Sequence, residues 1–175
     1  MRVVEHRRHS LRELTGPHLS REGLALARRV APSLGRFDRV VTSPKRRAVE
    51  TAEALGLTVD ATLEELGEMP DDAGLAVDTL GPRSFADYVR GVARSRTMAH
   101  YGHRQAELMR RELEHLAEDG RLLLVSHGGI IEFGAAAARP KDARGWGPPL
   151  GHLEGVRLYL DRGSWVRGEV LRVPK

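Results

Sequence analysis

Val3-Val4-Glu5-His6-Arg7-Arg8-His9-Ser10 opens as a short strand that runs out on a cation beside an imidazole. In open α/β proteins, ligand sites gather at the carboxyl ends of the strands, so a strand ending this way hands two reactive groups to the sheet edge where such sites form. A second stretch, Leu122-Leu123-Leu124-Val125-Ser126-His127-Gly128-Gly129, repeats the form. Its continuous apolar run is that of a central strand covered on both faces, and it too ends on a histidine. If the two strands lie together, their histidines define one site.

The intervening chain alternates strand and helix signals. After a loop holding Gly16-Pro17, Ser20 caps a helix whose apolar residues Leu24, Ala27, Val30, Ala31 and Leu34 recur at helical spacing, with Gly35 as its stop. Phe37 to Thr42 reads as a second strand. Ser43-Pro44 follows as a cap with proline at the first helical position, and the helix runs to Leu55 with Arg47 in its first turn. Leu57-Thr58-Val59 is expected as a third strand. Residues 60–82 read as a long loop with room for a turn of helix, of the kind that is usually functional. Helices are expected over 83–96 and 103–118, then the strand Leu122–Ser126, a helix from Gly129 to Ala138, and a Gly/Pro-rich loop over 139–151. Val156–Leu160 and Ser164–Val173 form a hairpin through Asp161-Arg162-Gly163. The pattern predicts one domain over 1–175, a three-layer α/β/α sandwich with a mainly parallel sheet and an antiparallel edge.

Composition narrows the chemistry. The chain has 175 residues, no cysteine, 41% hydrophobic and 30% charged residues, and a net charge of +4. Absence of cysteine excludes disulfides, thiolate nucleophiles and thiolate metal sites. No apolar run is long enough for a membrane helix, and charges stand where a signal peptide needs its apolar segment, so a cytoplasmic location is expected. The basic balance comes from arginine interleaved with acidic residues, without the aromatic–basic stripe that stacks on bases, so no nucleic-acid partner is expected. Asparagine is absent and glutamine occurs once, which hints at a thermophilic source. The histidines His6, His18, His100, His103, His115 and His152 match no zinc spacing, so no metal is expected.

Three segments share one grammar, a strand end followed by polar or cationic residues: Arg8-His9, Ser43-Pro44-Lys45-Arg46-Arg47, and Ser126-His127-Gly128-Gly129. Brought together on adjacent parallel strands, they would converge two guanidinium groups, two imidazoles and one or two helix N-termini. That set suits a phosphoryl group. The glycines after His127 suit close approach of a ligand to backbone. A neutral imidazole there can act as a nucleophile, with the cations stabilising the transferring group.

Arg8-His9-Ser10, the run Thr42-Ser43-Pro44-Lys45-Arg46-Arg47-Ala48-Val49-Glu50-Thr51-Ala52, and Val125-Ser126-His127-Gly128-Gly129, in this order, resemble the histidine phosphatase superfamily, the phosphoglycerate mutase-like fold. The resemblance spans nearly the whole chain. It implies that His9 becomes phosphorylated, that Arg8 and Arg47 bind phosphate, that His127 is the second pocket histidine, and that no cofactor is needed. It also matches Glu65, in Leu63-Glu64-Glu65-Leu66, to the acid that protonates the leaving oxygen, with Glu64, Glu68, Asp71 and Asp72 as rivals. Departures stand beside it. Ser10 replaces a glycine, so its hydroxyl is a candidate phosphate contact along with Gly128. Arg7 takes an apolar position, and Glu68-Met69-Pro70 stands where Trp-Glu-Gly is usual. The expected function is a phosphatase for phosphomonoesters or phosphoproteins acting through phosphohistidine at His9. The alternatives are a mutase, against which the short middle region argues, and a phosphate-binding module with little turnover.

Overall fold

A computed structural model describes residues 1–81 and 83–174; Pro82, the end of the expected long loop, lies outside the described residues. Six strands form one sheet in the order β3-β2-β4-β1-β5-β6. β1 (Arg2–Arg8) lies at its centre, parallel to β4 (Arg121–Ser126) and antiparallel to β5 (Gly155–Asp161). β4 is followed outward by β2 (Arg39–Thr42) and β3 (Ala61–Thr62), both parallel to it. β6 (Ser164–Leu171) closes the other edge through a turn in which Arg162 and Gly163 both have positive φ, 46° and 77°, as a two-residue hairpin turn requires. The sheet is therefore mainly parallel with an antiparallel edge.

Alternating side chains of the central strands feed two cores. Val40, Leu123 and Val125 meet Ala48 and Ala52 of α2 (Arg46–Ala54), and α1 (Arg21–Val30) packs on α2. Val41, Leu122, Leu124, Val4 and Val156 meet the opposite layer. That layer comprises α4 (Phe85–Arg94), α5 (Arg96–Glu114) and α6 (Ile130–Ala138), with Phe133 edge-on to Tyr88 and Tyr101.

Four elements differ from the sequence expectation. Leu57–Val59 is not a strand. Gly56, at φ 78°, ends α2 with its N–H on Glu53 O, and Leu57 N–H is spent on Ala52 O at 3.0 Å, so pairing with β2 begins only at Asp60. The expected loop after β3 contains a 3-10 turn, Glu64–Leu66, and α3 (Asp71–Leu80). α5 starts at Arg96, where Ser95 accepts from Met98 N–H, rather than at His103. The expected loop over 139–151 begins with the short α7 (Pro140–Ala143), opened by Pro140 in keeping with its preset φ.

The charges in β1 have a place. Glu5 and Arg7 share one face of the strand, where Glu5, 1% exposed, accepts from Arg7, Arg121 and Arg157 at 2.8–3.1 Å. Burial alone would raise its carboxyl, but Arg7 and Arg157 outweigh that and hold it below the usual range. His6, on the other face, bonds Ser126 Oγ of β4 at 2.6 Å.

Candidate functional site

Register places the site. Arg8 pairs with Ser126 and Thr42 with Val125, so β1, β4 and β2 end level with one another. The ladder runs one residue further, with His9 N on Ser126 O and Ser43 N on Val125 O, both 2.9 Å. His9, His127 and Ser43 thus leave the sheet at the same height, and the rings of His9 and His127 lie 5.1 Å apart.

The hydrogen bonds around His9 fix its tautomer. Nδ1 lies 2.7 Å from Ser10 O, a group that can only accept, so Nδ1 carries the proton and Nε2 keeps its lone pair. Arg47, in the first turn of α2, donates its Nε–H to that Nε2 at 3.2 Å. Burial, followed by Arg47 and Arg8, pushes the His9 pKa down to about 4, against its bond to Ser10, and the ring is neutral near pH 7. A phosphoryl group arriving here would compete for the Arg47 N–H and release the lone pair. Thr51 ties the two residues together: its hydroxyl donates to Arg47 O at 2.6 Å and accepts from Ser10 N at 2.9 Å.

His127 is neutral for the same reasons, held at about 3 by burial, Arg47 and His9. Its Nε2 lies 2.8 Å from Ser43 Oγ, which also accepts from Lys45 N–H at 3.2 Å. We assign the Ser43 hydroxyl hydrogen to Nε2 and the ring proton to Nδ1, which has no hydrogen-bond partner among the described residues. Ser43 does not cap α2, as the sequence suggests; that position falls to Lys45. Arg8 lays its guanidinium over Gly128, where a side-chain carbon would stand 3.4 Å from its Cζ, and donates Nη1–H to Leu150 O at 2.6 Å. Gly129, at φ 84°, turns the chain into α6 in a conformation that favours glycine.

These groups line a cleft of about 440 Å³ that takes in Arg8, His9, Arg47, His127 and Gly128. Its other wall includes Met69, Val77 and Asp78 from the α3 segment, with Tyr88, Glu132 and Leu150 alongside. Two expected members stand apart. Ser10 is fully buried and donates its hydroxyl to Gly23 O at 2.7 Å, so the hydroxyl is committed to backbone instead of a phosphate. Glu65 lines a separate groove with α5 residues and faces Arg111 at 3.6 Å. Of its rivals, Glu68 pairs with Lys45 and, with Asp71, borders an adjoining hollow, whereas Glu64 and Asp72 line neither. Asp78 is the exposed carboxylate of the cleft; it sits in the weakly patterned segment, where no sequence signal marks it. His152 was equally unmarked, yet its ring stands 5.6 Å from that of His9, with Nδ1 on His9 O at 3.2 Å.

The sequence model of the histidine phosphatase superfamily (branch 1) matches residues 3–167. No curated protein matches the chain. Among solved structures, a phosphoserine phosphatase from Entamoeba histolytica in complex with 3-phosphoglyceric acid superposes with a TM-score of 0.71 at 18% identity, over 99% of this chain and 98% of that one. A mycobacterial glucosyl-3-phosphoglycerate phosphatase complexed with VO3 gives 0.65 at 23% identity, over 98% of each chain. The protein histidine phosphatase SixA complexed with tungstate gives 0.55 at 19% identity, over 96% of this chain and 93% of that one. At these identities the likeness is one of fold.

Proposed function

The chain belongs to the histidine phosphatase superfamily, and from that premise we propose that it hydrolyses phosphomonoesters through a phosphohistidine at His9. The observation that carries this reading is the neutral His9 ring, its Nδ1–H on Ser10 O and its Nε2 facing Arg47 beside His127. Nε2 attacks phosphorus, forming N–P as the ester P–O bond breaks. Arg8 and Arg47 receive the phosphoryl oxygens beside His127, where preorganised donors lower the barrier. The leaving oxygen takes a proton from Asp78, which lines the same cleft across from the strand ends, in place of Glu65. Water then attacks phosphorus, the N–P bond breaks, and Asp78 takes the water's proton as phosphate departs.

Three fold relatives are phosphatases by their names, in keeping with hydrolysis. The apolar wall of Met69, Val77 and Leu150 suits the carbon skeleton of a small ester.

The test compares p-nitrophenyl phosphate, whose leaving group needs no proton, with glycerol 2-phosphate, whose leaving group does. His9→Ala is expected to abolish release of phosphate from both. Asp78→Asn is expected to lower kcat/KM, which reports the phosphorylation step, by about a hundredfold or more on the glycerol ester, the usual reach of acid catalysis, and to spare it on the nitrophenyl ester. Equal activity of His9→Ala and the parent protein would remove the proposal. Equal losses of kcat/KM on both esters would remove Asp78 from its role as the acid.

A further inference from the structure

Glu132 is the odd residue of α6: a carboxylate, 1% exposed, in the run Ile130-Ile131-Glu132-Phe133-Gly134-Ala135. Burial raises its pKa in spite of two backbone N–H bonds and the Arg8 charge. A charge so placed costs free energy unless each oxygen is satisfied, and here each is. Oε2 accepts from Gly129 N at 2.7 Å, closing the start of α6. Oε1 reaches across to the 148–150 segment and accepts from Leu150 N at 2.9 Å. Helix capping requires only the first bond. The second fixes the peptide whose next carbonyl, Leu150 O, takes the Arg8 Nη1–H at 2.6 Å.

We propose that Glu132 is a positioning residue for phosphoryl recognition, holding the Arg8 guanidinium in place through Leu150 and the Gly128-Gly129 turn beneath it. This rests on the reading of the cleft as a phosphoryl site. One carboxylate joins the two segments that bracket Arg8: the turn it lies over and the carbonyl it donates to. A glutamine cannot do both, because its amide oxygen can cap Gly129 while its NH2 would face the Leu150 N–H, donor against donor.

The experiment is a double-mutant cycle with Glu132→Gln and Arg8→Ala, read by calorimetric binding of inorganic vanadate and by KM and kcat on p-nitrophenyl phosphate. Glu132→Gln is expected to weaken vanadate binding and raise KM by about tenfold, the size of one hydrogen bond to a charged group. In the Arg8→Ala background the same change is expected to alter binding less than twofold, because non-additivity marks residues that act together. An equal effect in both backgrounds, or none in the parent, overturns the assignment. Should Glu132→Gln fail to fold, Glu132→Asp, which keeps the charge but is one methylene too short to span both N–H groups, takes its place under the same criteria. Vanadate binding that depends on Glu132 in a protein releasing no phosphate would remove the hydrolase reading and leave this one standing.

Discussion

Ser10 shows how far one side chain's meaning can move once its surroundings are known. Beside His9, a hydroxyl reads as a phosphate ligand. In the fold it donates to Gly23 O, and its own N–H is held by Thr51. The crossing is close: a side-chain carbon on Gly23 would stand 2.0 Å from Leu11 O, so α1 meets the loop after β1 through bare backbone, with Ser10 as the bond between them. Ser10→Ala should therefore lower stability by about 1 kcal/mol, the net contribution of one buried hydrogen bond, while KM for a phosphomonoester stays within twofold. Urea unfolding and steady-state kinetics on the same preparation check both halves. A tenfold rise in KM at unchanged stability would return Ser10 to the phosphate.

At the scale of elements, β1 carries His9 forward because its flanks are tied sideways. Glu5 bonds an arginine of its own strand and one from each neighbour, Arg121 of β4 and Arg157 of β5. Glu5→Gln would leave the nearly buried Arg7 without its counter-charge, and the expected loss is about 3–5 kcal/mol, seen as a lower midpoint in thermal or urea unfolding. A midpoint unchanged within error would show that the arginines re-pair. The three strand-end motifs were legible because strand and helix periods flank each of them and chemistry-bearing residues punctuate their ends. Leu57–Val59 misled because β-branched and apolar content does not reveal that an amide is already spent on closing a helix. α3 was illegible because Asp71, Asp72 and Gly74 dilute its first turns and Ala73 is its one buried residue among the described side chains. Asp78 was hidden with it, and Glu65, which the motif match favoured, turned to the α5 groove.

The molecule as a whole stores several imidazoles in their neutral form. His6 is wholly buried and held at about 3, whereas in an unfolded chain it titrates near its ordinary value of 6.5. As pH falls below that value the unfolded chain takes up the proton first, so the stability this residue contributes is complete above about 6.5 and drains away toward pH 3. Between pH 6.5 and 5 the loss from His6 amounts to about 2 kcal/mol. His9 and His127 act in the same direction, and Glu132, raised by burial, acts in the opposite one. Urea midpoints at pH 7.5 and pH 5 should differ markedly in the parent protein and less in His6→Gln; equal differences would acquit His6. The sheet order has another consequence, for the order of assembly. β1 is made first, yet its partners β4 and β5 follow more than a hundred residues later, and it must lie between them. On the ribosome His9 therefore waits with its strand unpaired until the last third of the chain emerges. Pairing across such distances is slow, so the cleft around His9 matures as a late event of biosynthesis, and a nascent chain stalled before Arg121 carries His9 on a strand with neither of its neighbours made.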